Sequence, residues 1–159
     1  MTAAVLPERL REVLAVFALV DDPVDRANLL ISFADRFTPV PPEVATPPYP
    51  KDHLVPYCES EAYAWLVLRD DGTAALHFAV ENPSGISAKA LASILASTLS
   101  GLKPEEIEQA SPDIVEQIFQ QNISMGKGMG LMAMVQAVQA LARRARRLSS
   151  APANRRPSQ

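Results

Sequence analysis

Residues 62–80 read "AYAWLVLRDDGTAALHFAV". The runs 62–68 and 74–80 are apolar and carry the aromatic and branched side chains that suit a pleated surface. Between them lies "RDDGT", and its Asp71-Gly72 supplies the positive φ that a tight hairpin turn needs. The stretch predicts two antiparallel strands. A short strand around His53–Val55 is expected to pair alongside, giving a small sheet of about three strands.

Helices flank this hairpin on both sides. Upstream, Leu10, Val13, Leu14 and Phe17 recur at helical spacing after Pro7, which suits a first turn. Asp22-Pro23 reads as a cap and first turn of a second helix, with a core face of Val24, Ala27, Leu30, Ile31 and Ala34. Residues 38–50, "TPVPPEVATPPYP", hold six prolines in thirteen positions. Such a segment lacks main-chain donors and reads as a stiff connector. Downstream, Ser87 is expected to cap a third helix with core residues Leu91, Ile94 and Leu95. "SGLKPEEI" and "SPDIVEQIF" start two short helices, each with proline in the first turn. "SMGKGMG" reads as a glycine-punctuated loop opening a last helix, whose stripe is Leu131, Met134, Val135, Val138 and Leu141. Its methionines are expected to fill the core rather than bind metal. The predicted order is two helices, three strands, four helices: an α+β domain with its small antiparallel sheet packed against helices. Residues 1–147 are expected to form one domain.

The net charge of −3 conceals two unlike parts. Residues 1–142 hold nine basic residues against all 18 acidic ones, whereas the last seventeen hold six arginines and no acid. Residues 148–159 are therefore expected to be a disordered basic tail. An acidic body repels phosphate, which argues against nucleic acid as the partner. The apolar run 13–20 is too short to span a bilayer and is followed by Asp21-Asp22, so neither a membrane span nor an export signal is read here. The expected location is cytoplasmic.

Chemistry points to residues 55–61, "VPYCESE". Cys58 is the only cysteine, and the chain has two histidines, His53 and His77. One thiol forms no internal disulfide, and this set makes neither a structural zinc site nor an iron–sulfur ligand set. Two readings stand for Cys58: a buried small hydrophobe, the usual fate of a free cysteine, or a nucleophile on a loop that Pro56 keeps out of a strand ladder. Glu59 and Glu61 do not favour a thiolate. Activation in the second reading must come from elsewhere, with His53, Lys51 and Lys127 as candidates. His77 lies mid-strand and reads as structural, and His53 is not obviously placed as the base a cysteine hydrolase needs.

Over about residues 6–145 the chain resembles the SufE family of sulfur-acceptor proteins. The ordered features are a two-helix start, a proline-rich connector, Val55-Pro56-Tyr57-Cys58-Glu59-Ser60 in place of a "V-x-G-C-Q-S" loop, a strand centred on Trp65, "LSGLKPEEI" at 99–107, and "GKGMGLMAM" at 126–134. The resemblance implies a fold of the SufE and IscU kind. It implies that Cys58 takes persulfide sulfur from a SufS-type, pyridoxal-phosphate-dependent cysteine desulfurase, stimulates that enzyme and passes the sulfur to an iron–sulfur scaffold. Lys127 and Glu59 would then serve docking or thiolate support, with no cofactor held by this chain and the protein acting as a monomer or homodimer. A regulatory adaptor that does not transfer sulfur is the alternative. Tyr57 stands where the family has glycine, Glu59 where it has glutamine, and Lys127 where it has arginine. Asn82 and Ser84 replace residues that are often acidic in the loop after the hairpin.

Overall fold

A computed structural model describes residues 5–149. Eight main elements follow in order: α1 (Glu8–Ala18), α2 (Pro23–Asp35), β1 (Ala62–Leu68), β2 (Ala74–Val80), α3 (Ile86–Leu99), α4 (Pro104–Ile107), α5 (Ile114–Phe119) and α6 (Met125–Ser149). The class is α+β, as expected. β1 and β2 pair antiparallel with Ala62 opposite Val80 and Leu68 opposite Ala74. Their turn is tied by Asp71, which accepts hydrogen bonds from Thr73 N and Thr73 Oγ1 at 2.9 and 2.7 Å, while Gly72 takes φ +88°.

The expected third strand shrinks to a single bridge, Leu54 to Tyr63. Prolines explain this. Pro50 precedes a 3-10 turn at Lys51–His53, and Pro56 has no N–H to give to a ladder.

The hairpin divides the interior. Ala62, Ala64, Ala74, Leu76 and Phe78 face the main core, where α3 packs on β2 and α6 on β1. Leu91, Ile94 and Leu95 of α3 are fully buried there, each contributing on the order of 1.5–3 kcal/mol by apolar burial. Tyr63, Trp65 and Ala79 point the other way, and the proline-rich connector covers them with Val40, Val44 and Tyr49. The connector is thus a lid on the second face of the sheet, held by Val40 N donating to Phe78 O at 2.8 Å.

The first helix buries Leu10, Leu14 and Phe17 as its spacing predicts. The second buries only part of the predicted face: Leu30 is buried, Ala27 and Ala34 are half-buried, Val24 and Ile31 are exposed, and Arg26 and Phe33 are buried in their place. Arg26 is the cause: its guanidinium donates to the carbonyls of Phe17, Val20, Gln117 and Ile118, tying the α1–α2 turn to α5. Asp22 caps α2 by accepting from Val24 N at 3.1 Å. Ser87 does not cap α3, which begins one residue earlier behind Gly85. Pro112 precedes α5 instead of sitting in its first turn.

The last helix begins at Met125, so "MGKGMG" is its first turns and not a loop. Gly128 and Gly130 face inward with Leu131, Met134, Val135 and Val138. Met125, Met129 and Met132 point outward, so only Met134 of these methionines fills the core. The helix runs through Ser149; the rest of the expected basic tail lies outside the described residues. No helix among the described residues is long and apolar enough to cross a membrane.

Candidate functional site

Cys58 sits in a tight loop between the Leu54 bridge and β1. Val55 N donates to Ala62 O at 2.8 Å at the base of the loop, and Glu61 N donates to Cys58 O at 3.1 Å across its tip. Two left-handed residues bend the chain, Tyr57 at φ +61° and Glu61 at φ +52°. Such angles are unfavourable for side chains with a Cβ by roughly 1–2 kcal/mol each. Tyr57 therefore adopts the backbone conformation that glycine would take without strain, and its ring is left exposed.

Neighbouring elements hold this bent loop in place. Asn82 N and Glu81 N donate to Ser60 O and Glu61 O at 3.1 and 3.2 Å. On the other side Gly130 of α6 is so close that a Cβ there would lie 2.7 Å from Tyr57 O and 3.0 Å from Cys58 Cα. Gly85 allows a similar approach: a Cβ there would lie 2.9 Å from Ser60 Oγ. These two glycines pack the cysteine loop into place, a role that sequence reading missed. Their signal was present as glycines near the starts of two helices, but which chain they approach is a tertiary fact.

The result is an open pocket of about 340 Å³, walled by Cys58, Glu59, Ser60, the first turn of α3 and the first turns of α6. Cys58 is partly buried and packs against the main core while it also lines the open pocket. Lys127 lines the same pocket with an exposed side chain that makes no ion pair among the described residues. The positive ends of two helix dipoles, of 14 and 25 residues, also face this space, which favours an anion there. Glu59 lies on the rim and opposes that effect.

The structure separates the other two candidates from Cys58. His53 stacks on Trp65 at 5.1 Å between ring centroids, and its Nδ1 lies 2.8 Å from Ala64 O. It belongs to the aromatic face under the connector and does not line the pocket. Lys51 is exposed in the 3-10 turn and does not line it either. His77 stands opposite Trp65 in the hairpin, on the connector side of the sheet and outside the Cys58 pocket, and burial, with help from Arg69, pushes its pKa below the usual imidazole value. No group of three His, Cys, Asp or Glu side chains among the described residues is placed to hold a metal ion.

The family described as "SufE: Fe-S metabolism associated domain" matches residues 11–142. The chain belongs to the SufE family. That membership associates it with iron–sulfur metabolism. Among solved structures, the solution structure of a hypothetical protein from Thermus thermophilus is similar. It is 24% identical with a TM-score of 0.71, over 92% of this chain and 100% of that one, and it shows the shared fold. No curated protein matches. Within this SufE-family fold, the single cysteine and the basic residue of the glycine-rich turn, Lys127, meet in one pocket.

Proposed function

We propose that this chain is a sulfur acceptor: Cys58 takes persulfide sulfur from a SufS-type cysteine desulfurase and hands it to an iron–sulfur scaffold. The observation that carries this reading is the lone thiol at the wall of an open pocket, beside Lys127 and two helix N-termini. In the transfer the Cys58 thiol first gives up its proton. Its thiolate attacks the outer sulfur of the donor's Cys–S–S⁻ in line with the S–S bond. A new S–S bond forms on Cys58, the donor's bond breaks, and the donor cysteine leaves as a thiolate that takes up a proton. No net oxidation occurs, so the chain needs no cofactor of its own; pyridoxal phosphate belongs to the donor enzyme.

The pocket suits each stage. The first turns of two helices and the Lys127 ammonium give the anionic persulfide a favourable counter-charge. Partial burial of Cys58 shelters the persulfide from oxidants. The open mouth admits a donor loop, and no second thiol in this chain competes for the sulfur. The reaction belongs in a reducing, cytoplasmic setting.

Desulfurase turnover tests the proposal. Wild-type protein is expected to raise alanine release from cysteine, Cys58→Ser to abolish that stimulation, and Lys127→Glu to weaken it. Full stimulation by Cys58→Ser would instead make the chain a regulatory adaptor. Equal stimulation by Lys127→Glu and wild type would remove Lys127 from the site.

A further inference from the structure

A second pocket of about 440 Å³ opens between the end of α2, the outer edge of β2 and the middle of α3. It shares no lining residue with the Cys58 pocket. Its size falls in the range of small-molecule sites. Phe33, Phe37 and Phe78 give it an apolar wall.

Three polar features of this wall have a group that makes no hydrogen bond or ion pair among the described residues. Ser93 is only 8% exposed, yet its hydroxyl makes no hydrogen bond among the described residues. No fully enclosed polar side-chain atom is without a partner, so that hydroxyl opens into the pocket it lines.

The second feature is the edge of β2. Leu76 N donates to Ser100 Oγ at 3.0 Å and Phe78 O accepts from Val40 N, so both residues turn their main-chain groups away from β1. This leaves Leu76 C=O and Phe78 N–H on that edge, with no partner among the described residues. Ser100 closes the edge on one side and Val40 on the other. The gap spans one donor–acceptor pair, too short for an added peptide strand and suited to a small molecule.

Arg36 is the third. Its guanidinium sits 5.1 Å over the Phe33 ring at the pocket wall and makes no ion pair among the described residues. Arg69 is also felt at His77, which lines the pocket, and only Glu43 opposes it there.

We propose that this pocket binds a small carboxylate with an apolar body. The carboxylate accepts from the Ser93 hydroxyl and Phe78 N–H and meets the Arg36 charge, while its apolar part lies against Phe33 and Phe37. Three donors, one of them the Arg36 guanidinium, select an anion over a neutral or cationic ligand. Confinement to a one-pair gap selects a small molecule over a peptide.

Amide NMR on the labelled full chain tests this, with phenylacetate and hexanoate as probes and phenylacetamide as the uncharged match. Saturable shifts at Phe78 and Ser93 are expected for both carboxylates in the millimolar range, with the Cys58 loop unmoved. Arg36→Gln is expected to weaken phenylacetate binding about tenfold. Ala96→Leu, which adds volume to the pocket wall, is expected to abolish binding while the melting point holds within a few degrees. No saturable shift in the millimolar range for either carboxylate would overturn the proposal. So would phenylacetamide binding as tightly as phenylacetate, or shifts confined to the Cys58 pocket.

Discussion

Replacing Gly130 with alanine drives a methyl group into the main chain that carries Cys58. The added Cβ would stand 2.7 Å from Tyr57 O, and ordinary contact begins at 3.4 Å, so the loop must retreat by about 0.7 Å. The opposing atoms are backbone, so no side chain can rotate out of the way. Overpacking of this kind is unfavourable by about 1–3 kcal/mol. Against it stands the helix propensity that alanine gains over glycine, about 1 kcal/mol. Gly126 is the control: a Cβ there meets nothing within 4 Å. Gly126→Ala is therefore expected to be neutral or stabilising by up to about 1 kcal/mol, and Gly130→Ala to be destabilising by up to about 2 kcal/mol. At roughly 2–4 °C per kcal/mol, thermal melts should separate the two variants by several degrees. The displaced loop should also expose Cys58, so that iodoacetamide alkylates Gly130→Ala faster than wild type. If Gly130→Ala melts as high as Gly126→Ala and alkylates at the wild-type rate, the cysteine loop does not rest on α6 and the account of the pocket is wrong.

Other outcomes follow from the same structure. Arg26→Met removes a buried guanidinium from four carbonyls and should be destabilising by about 3 kcal/mol, read by urea unfolding; a variant within about 1 kcal/mol of wild type, by that same scale, would deny Arg26 its part in fixing α2. Glu108 accepts from Arg146 at 2.8 Å and from Arg143 at 3.1 Å, and these partners hold its carboxyl below its ordinary 4.5. A depressed carboxylate contributes stability above its unfolded pKa and loses it as pH falls through the folded one. Glu108→Gln should thus be destabilising by up to about 1 kcal/mol at pH 7, with the gap to wild type closing below pH 4.5. A gap that stays constant with pH would show that the ion pairs contribute nothing.

What the sequence disclosed follows from which forces are local. The hairpin was legible because Asp71-Gly72 sets the turn and the flanking runs have no other use. Helix α1 was legible because Leu10, Leu14 and Phe17 recur at helical spacing, although apolar Val16 stays exposed. Helix α2 offered two stripes one residue apart, Val24–Ala27–Ile31–Ala34 and Arg26–Leu30–Phe33, and hydropathy favoured the first together with Leu30 of the second. The four carbonyls waiting for Arg26 reversed that choice, and they come from α1, the α1–α2 turn and α5. The start of α6 was misread as a loop because three glycines disfavour a helix in isolation; close packing of Gly130 on the Cys58 loop makes a glycine necessary there.

The candidate site divides in the same way. Cys58 was found because it is the only thiol, and Glu59 follows it in sequence. Lys127 was one of three candidate cations, and nothing local distinguished it from His53 and Lys51; the family resemblance added weight to it. His53 is five residues from Cys58 in sequence, but the Leu54–Tyr63 bridge sends it to the aromatic face. The pocket walls contributed by Gly85 and Gly130 left no local signal of their partner.

The most direct test of sulfur acceptance is the intact mass of the protein after incubation with a SufS-type desulfurase, pyridoxal phosphate and cysteine. The account predicts a gain of one sulfur atom on wild type, removed by reductant and absent in Cys58→Ser. An unchanged mass with Cys58 reduced and the desulfurase turning over would contradict it.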